Sequence, residues 1–234
     1  MKVSLIIAAA GAGRRFLKGR SKKASLPKVF LALGSKPLLA HTLDSFREIS
    51  QIKEILLAIP AGAERWVRKN LLNGHRRPPV RLVRGGATRA ESVLNALQKS
   101  SPRNDWVLVH DGARPFPPRD ALLKLVRNSP KADGVILARP VVPTLKRVAA
   151  QTGEILGTVD RTDLFEAETP QLVRRASLIT AYKKNPKALE ATDEASLVES
   201  AGGRVKVLAH TGWNVKVTTP EDLRLAEALQ GGAR

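Results

Sequence analysis

Residues 5–28 constrain the fold more than any other stretch, reading L-I-I-A-A-A-G-A-G-R-R-F-L-K-G-R-S-K-K-A-S-L-P-K. Leu5, Ile6 and Ile7 form a continuous apolar run, the mark of a strand buried on both faces. From Ala8 to Gly13 every side chain is a methyl group or a hydrogen. Such residues let backbone N–H groups approach a bulky anion, and glycine accepts the dihedrals of a tight turn. Arg14, Arg15, Lys18, Arg20, Lys22, Lys23 and Lys28 follow. A backbone cradle flanked by guanidinium and ammonium groups suits a polyphosphate.

Two familiar phosphate loops do not fit. A P-loop requires Gly-Lys-Ser/Thr five residues after its first glycine, and Lys18 breaks that frame after Gly13. A dinucleotide fingerprint requires a small residue three positions after its second glycine, where Phe16 stands. Walker-type hydrolysis and hydride transfer drop out, and nucleotide binding survives.

Helix and strand signals alternate along the 234 residues, which predicts one α/β domain with a mostly parallel sheet. Strands are expected over 55–59, 80–83, 106–109, 134–138, 205–208 and 215–217. Helices are expected over 37–49, 64–72, 88–98, 120–128, 176–183, from about 192, and 223–229. Thr88 and Glu91 have capping-box spacing, and Pro220 follows Thr219 as a helix opening. Between 140 and 162 the helical period vanishes. Two β-like pieces, 145–148 and 155–159, flank Gly153 and predict a projecting hairpin arm. Such an arm buries little within its own chain, so a homodimer is expected.

Asp111 ends a strand, in His110-Asp111-Gly112-Ala113-Arg114-Pro115, where doubly wound sheets bind ligands. His110 is expected to be structural. The net charge of +19 suits an anionic substrate or nucleic acid. Aromatic content of 4% and scattered basic residues argue against a nucleic-acid platform. No apolar run is long enough to span a membrane, no leader pattern precedes the first strand, and there is no cysteine. A cytoplasmic chain without disulfides is the expectation.

Several motifs occur together in one order: Ala9-Ala10-Gly11-Ala12-Gly13-Arg14-Arg15, Pro27-Lys28, Gly85-Gly86 with Arg89 and Ser92-Val93, and the Asp111 segment. Pro143-Thr144-Leu145-Lys146, Thr158-Val159-Asp160-Arg161, Thr169-Pro170-Gln171, Thr192-Asp193-Glu194-Ala195 and Asn214-Val215-Lys216-Val217-Thr218 complete the set. Over nearly its whole length the chain thereby resembles the 2-C-methyl-D-erythritol 4-phosphate cytidylyltransferases. The resemblance implies a Rossmann-like nucleotidyltransferase fold and transfer of CMP from CTP to that acceptor, in the non-mevalonate route to isoprenoids. It implies Arg15, Lys28 and Lys216 as catalytic cations. It places Ala9, Ala10, Gly11, Ala12, Gly13, Gly86, Ser92 and Asp111 at the nucleotide. Asp111, Arg114, Thr144, Arg161, Thr169, Thr192 and Lys216 would hold the acceptor, with Thr144 and Arg161 reaching the partner subunit's site. A Mg²⁺ ion carried mainly by the CTP phosphates is expected, with Asp111 the candidate protein ligand. One departure is Ala87, where family members can carry an aspartate near the cytosine. A cytidylyltransferase for ribitol 5-phosphate or another polyol phosphate is the alternative, and a non-catalytic nucleic-acid-binding protein a remote one.

Overall fold

In a computed structural model, residues 1–11, 16, 27–74, 77–127 and 131–232 are described. The chain begins with strand β1 (Val3–Ala8), followed later by a small antiparallel pair, β2 (Ala32–Leu33) and β3 (Lys36–Pro37). Then come α1 (Leu38–Asp44), β4 (Ile52–Ile59), α2 (Glu64–Asn70), β5 (Val80–Arg84), α3 (Arg89–Lys99) and β6 (Trp106–Asp111). After α4 (Arg119–Arg127) and β7 (Gly134–Pro140) the chain makes the hairpin β8 (Leu145–Val148) and β9 (Ile155–Val159). It closes with β10 (Phe165–Arg174), α5 (Arg175–Lys184), α6 (Glu194–Ser200), β11 (Val205–Ala209) and α7 (Pro220–Gly232).

The main sheet has the order β11-β7-β10-β6-β1-β4-β5. β1 pairs in parallel with β4 on one side and β6 on the other, so the chain's direction of travel reverses between β1 and β6. β4–β5 and β7–β11 are also parallel, and β10 alone runs antiparallel to both its neighbours. The mostly parallel sheet and the projecting arm are those the sequence predicts.

Alternation along β1 explains the layering. Leu5 and Ile7 face a core shared with α1 and α4, and Ile6 faces one shared with α3, α5 and α6. All three are fully buried, and each such side chain contributes about 1.5–3 kcal/mol of transfer free energy. Phe16, which breaks the dinucleotide fingerprint, is buried in the first of these cores. Asp222 and Thr219 open α7 by mutual capping. The Asp222 N–H donates to Thr219 Oγ1, and Asp222 Oδ2 accepts from the Thr219 N–H.

Two expectations need correction, and one strand is new. The helix of 37–49 ends at Asp44, and turns carry the chain on while Phe46 and Ile49 still reach the core. Residues 215–217 form no strand: the Val217 N–H donates to the Ala113 carbonyl, but the segment has no regular secondary structure. The ten-residue β10 was not expected. Its centre, Glu-Thr-Pro-Gln, has the composition of a turn, yet every one of these residues is buried.

Candidate active site

β1 and β6 end side by side, with Ala8 opposite Asp111. The chain leaves β1 through Ala9, Ala10 and Gly11, and the Gly112 N–H donates back to the Ala8 carbonyl. A Cβ on Gly112 would press on Ala9 and on the Ala8 carbonyl, which accounts for glycine there. Across the opening, the Gly86 N–H donates to Ser92 Oγ, whose hydroxyl donates to the Thr88 carbonyl. These small-walled segments enclose a cleft of about 420 Å³, lined among others by Ala9, Ala10, Gly11, Gly86, Ser92, Asp111, Lys28 and Lys216. A second cleft of about 660 Å³ adjoins it through Ala10, Gly86 and Ala87.

Lys28 and Lys216 come from opposite ends of the chain. Lys28 sits on a single turn of 3₁₀ helix, and its Nζ donates to the Val217 carbonyl at 2.6 Å. Lys216 Nζ lies 2.6 Å from Asp111 Oδ2, while Arg89 Nε donates to Asp111 Oδ1 at 2.9 Å. Burial raises the Asp111 pKa, but Arg89 and Lys216 outweigh it and hold the carboxyl well below its ordinary value. Arg89 also forms a bidentate pair with Glu194, at 2.8 and 3.0 Å. Burial opposes the Arg89 charge, and the two carboxylates more than restore it. Burial pushes the Glu194 carboxyl up against the pull of Arg89.

Behind Asp111 lies a second buried layer. Its N–H donates to Thr169 Oγ1, and Arg114 stands 4.0 Å from its Oδ2. Glu168 accepts from Asn214 Nδ2 at 2.7 Å and from His210 Nε2 at 3.0 Å, and pairs with Arg139 at 3.2 Å. His110 Nε2 donates to the Arg114 carbonyl, and the ring packs edge-on against Phe46. Burial lowers its pKa to about 4, so the ring is neutral and structural.

The structure thus gathers Ala9, Ala10, Gly11, Gly86, Ser92, Asp111, Lys28 and Lys216 at one opening. Thr169 and Arg114 lie just behind Asp111 rather than on the cleft wall. Thr144, Arg161 and Thr192 are exposed and do not line it. Ala12, Gly13 and Arg15 lie outside the described residues. Asp193 rather than Thr192 caps α6, accepting from the Ser196 N–H.

Sequence reasoning missed Arg89 and Glu194 as site residues. Arg89 did carry a signal: it opens α3, where the positive end of the helix repels a cation unless a carboxylate holds it. Glu194 carried none beyond its place in the Thr192-Asp193-Glu194-Ala195 motif, because an acid in the first turn of α6 is ordinary.

The family model described as "IspD: 2-C-methyl-D-erythritol 4-phosphate cytidylyltransferase" matches residues 3–231. The chain belongs to this family. A 2-C-methyl-D-erythritol 4-phosphate cytidylyltransferase of Bacillus licheniformis is 38% identical over 98% of this chain and 96% of its own. Its namesake from Haemophilus ducreyi is 42% identical over 97% and 95%. Among solved structures, the enzyme of that name from Thermus thermophilus is 33% identical, with a TM-score of 0.76 over 98% of both chains. The 4-diphosphocytidyl-2C-methyl-D-erythritol synthase of Anaerococcus prevotii is 28% identical, with a TM-score of 0.81 and 98% coverage of both. Membership makes the chain a nucleotidyltransferase that moves a cytidylyl group from CTP to 2-C-methyl-D-erythritol 4-phosphate.

Proposed function

We propose that the cleft between β1, β6 and Lys216 is where this transfer takes place, with two lysines from distant parts of the chain drawing the two phosphates together. The observation that carries the reading is that Lys28 and Lys216, 188 residues apart in sequence, line one opening beside a loop of alanine and glycine. An oxygen of the acceptor phosphate attacks the α-phosphorus of CTP, the bond to the bridging β-oxygen breaks, and pyrophosphate leaves. A phosphate monoester has a second pKa of about 6, so the nucleophile is ionised without a general base. Fixed cations then lower the barrier by bringing two polyanions into line and neutralising charge on the transferred phosphoryl group.

Lys28 and Lys216 serve as catalytic cations together with Arg15. The nucleotide rests on residues 9–13, Gly86, Ser92 and Asp111. The acceptor is held by Asp111 and Lys216 on the cleft wall, with Arg114 and Thr169 supporting Asp111 from behind, and Thr192, which lies off that wall, is given no contact in this cleft. Thr144 and Arg161 belong to the exposed arm, and in a homodimer they act in the partner subunit's cleft. Magnesium fits as an ion brought by the triphosphate. Both Asp111 oxygens face cations, and the described residues contain no group of three or more His, Cys, Asp or Glu side chains that could hold a metal. Phosphate oxygens and water would supply most of its ligands, with Asp111 at most added, and the ion would offset charge on the leaving pyrophosphate. The described residues include no helix long and apolar enough to cross a membrane. The cytoplasm is our reading of the compartment, supported by a sequence without cysteine.

The acceptor is tested by following CTP-dependent pyrophosphate release with 2-C-methyl-D-erythritol 4-phosphate and ribitol 5-phosphate side by side. The first should be used far faster. Preference for ribitol 5-phosphate would overturn the acceptor assignment.

A further inference from the structure

Four alternating charges run from the interior to the cleft. Glu194, 1% exposed, accepts from both terminal nitrogens of Arg89. The remaining Arg89 nitrogen, Nε, donates to one oxygen of Asp111, and the other oxygen holds Lys216. Arg89, Asp111 and Lys216 line the cleft, and Glu194 does not. Glu194 is itself fixed: its N–H and that of Ala195 donate to Gln171 Oε1, and the Gln171 amide donates to Asp193. A planar guanidinium gripped on two nitrogens by one carboxylate has a single orientation left for the third.

We propose that Glu194 is a positioning residue for the transfer reaction, locking Arg89 so that Asp111 stays compensated when Lys216 turns from it to a substrate phosphate. This rests on the reading above that Lys216 serves a phosphate. A nearly buried carboxylate that gives up one of two cations must keep the other in good geometry, or it holds on to both. With Arg89 locked, Lys216 is free to exchange Asp111 for phosphate at little cost. With Arg89 loose at the start of α3, Asp111 competes with the substrate for the ammonium group.

Glu194→Gln keeps size and hydrogen-bonding capacity while removing the charge. It should lower kcat about tenfold to a hundredfold, as expected when a catalytic group is slightly misplaced. The CTP KM should stay within about threefold, since ground-state binding of the nucleotide is not what is lost. In an Asp111→Asn background the same substitution should have no further effect, whereas a general loss of structure would multiply through. Arg89→Gln with Glu194→Gln leaves no buried charge unpaired, and its turnover should be reduced as well. A kcat within about twofold of wild type in the single or double variant, or an undiminished effect in the Asp111→Asn background, overturns the proposal. Lys216→Ala separates the two levels. If it is inert while Glu194→Gln is normal, only the role of Glu194 falls. If it turns over normally, the phosphate reading falls too.

Discussion

His110 shows how a residue beside an active carboxylate is kept out of the chemistry. Its Nε2 proton is committed to the Arg114 carbonyl, its Nδ1 has no hydrogen-bond partner among the described residues, and Phe46 packs on the ring. Protonating Nδ1 would place a charge in apolar surroundings, within the field of Arg114 and Arg89 and only partly offset by Asp111. The folded pKa of about 4 lies below the ordinary 6.5, so between these values the unfolded chain binds more protons than the folded one. Stability from this residue is therefore complete above about pH 6.5 and is lost as pH falls toward 4. The full contribution is about 3 kcal/mol. Denaturant unfolding of the wild type should show stability rising across that interval, and His110→Gln should remove about one proton's worth of the slope. An unchanged slope would mean that the ring is protonated in the folded state. Asp111 and His110 were legible in sequence from their place at a strand end. Lys28 was legible as one of the cations following the small-residue loop, whereas Lys216 was legible only through the family resemblance, because it stands in an alternating stretch that reads by pattern as an exposed strand.

At the scale of elements, sequence pattern worked where burial followed periodicity and failed where polar groups are buried in pairs. The hairpin β8–β9 has the predicted boundaries, since Gly153 takes φ +74° at its turn and the flanking residues alternate without a helical period. β10 was hidden because Glu168, Thr169 and Gln171 are polar. Each is buried only because tertiary partners satisfy it: Arg139, His210 and Asn214 for Glu168, the Asp111 N–H for Thr169, and the N–H groups opening α6 for Gln171. No single-chain pattern records such partners. The arm carries its own prediction. Ile155 and Leu156 are 64% and 63% exposed, and Val148 is half exposed beside them, an apolar surface that suits a second copy of the chain. Ile155→Asp with Leu156→Asp should yield monomers in sedimentation velocity. If Thr144 and Arg161 act across the dimer, mixing inactive Arg161→Ala and Lys216→Ala proteins should restore activity, because one hybrid cleft has both residues. Additive inactivity on mixing would place Arg161 in its own chain's cleft or outside the reaction.

For the molecule as a whole, the sheet order decides where chemistry is possible. The reversal between β1 and β6 leaves a crevice at their carboxyl ends, and both ends of the chain return to it, Lys28 after the first strand and Lys216 before the last helix. The net charge of +19 favours approach of two anionic substrates, and among the described residues Lys28, Arg89 and Lys216 are cations that line the crevice. Holding two like-charged phosphates together is the central demand on the fold. The most direct test is single-turnover pyrophosphate release from CTP and 2-C-methyl-D-erythritol 4-phosphate by the wild type, Lys28→Ala and Lys216→Ala, with circular dichroism to check the fold. Each variant should remain folded and lose about 10²–10³ in rate, the scale of removing one preorganised charge-stabilising donor. Folded variants that release pyrophosphate at the wild-type rate would contradict the account.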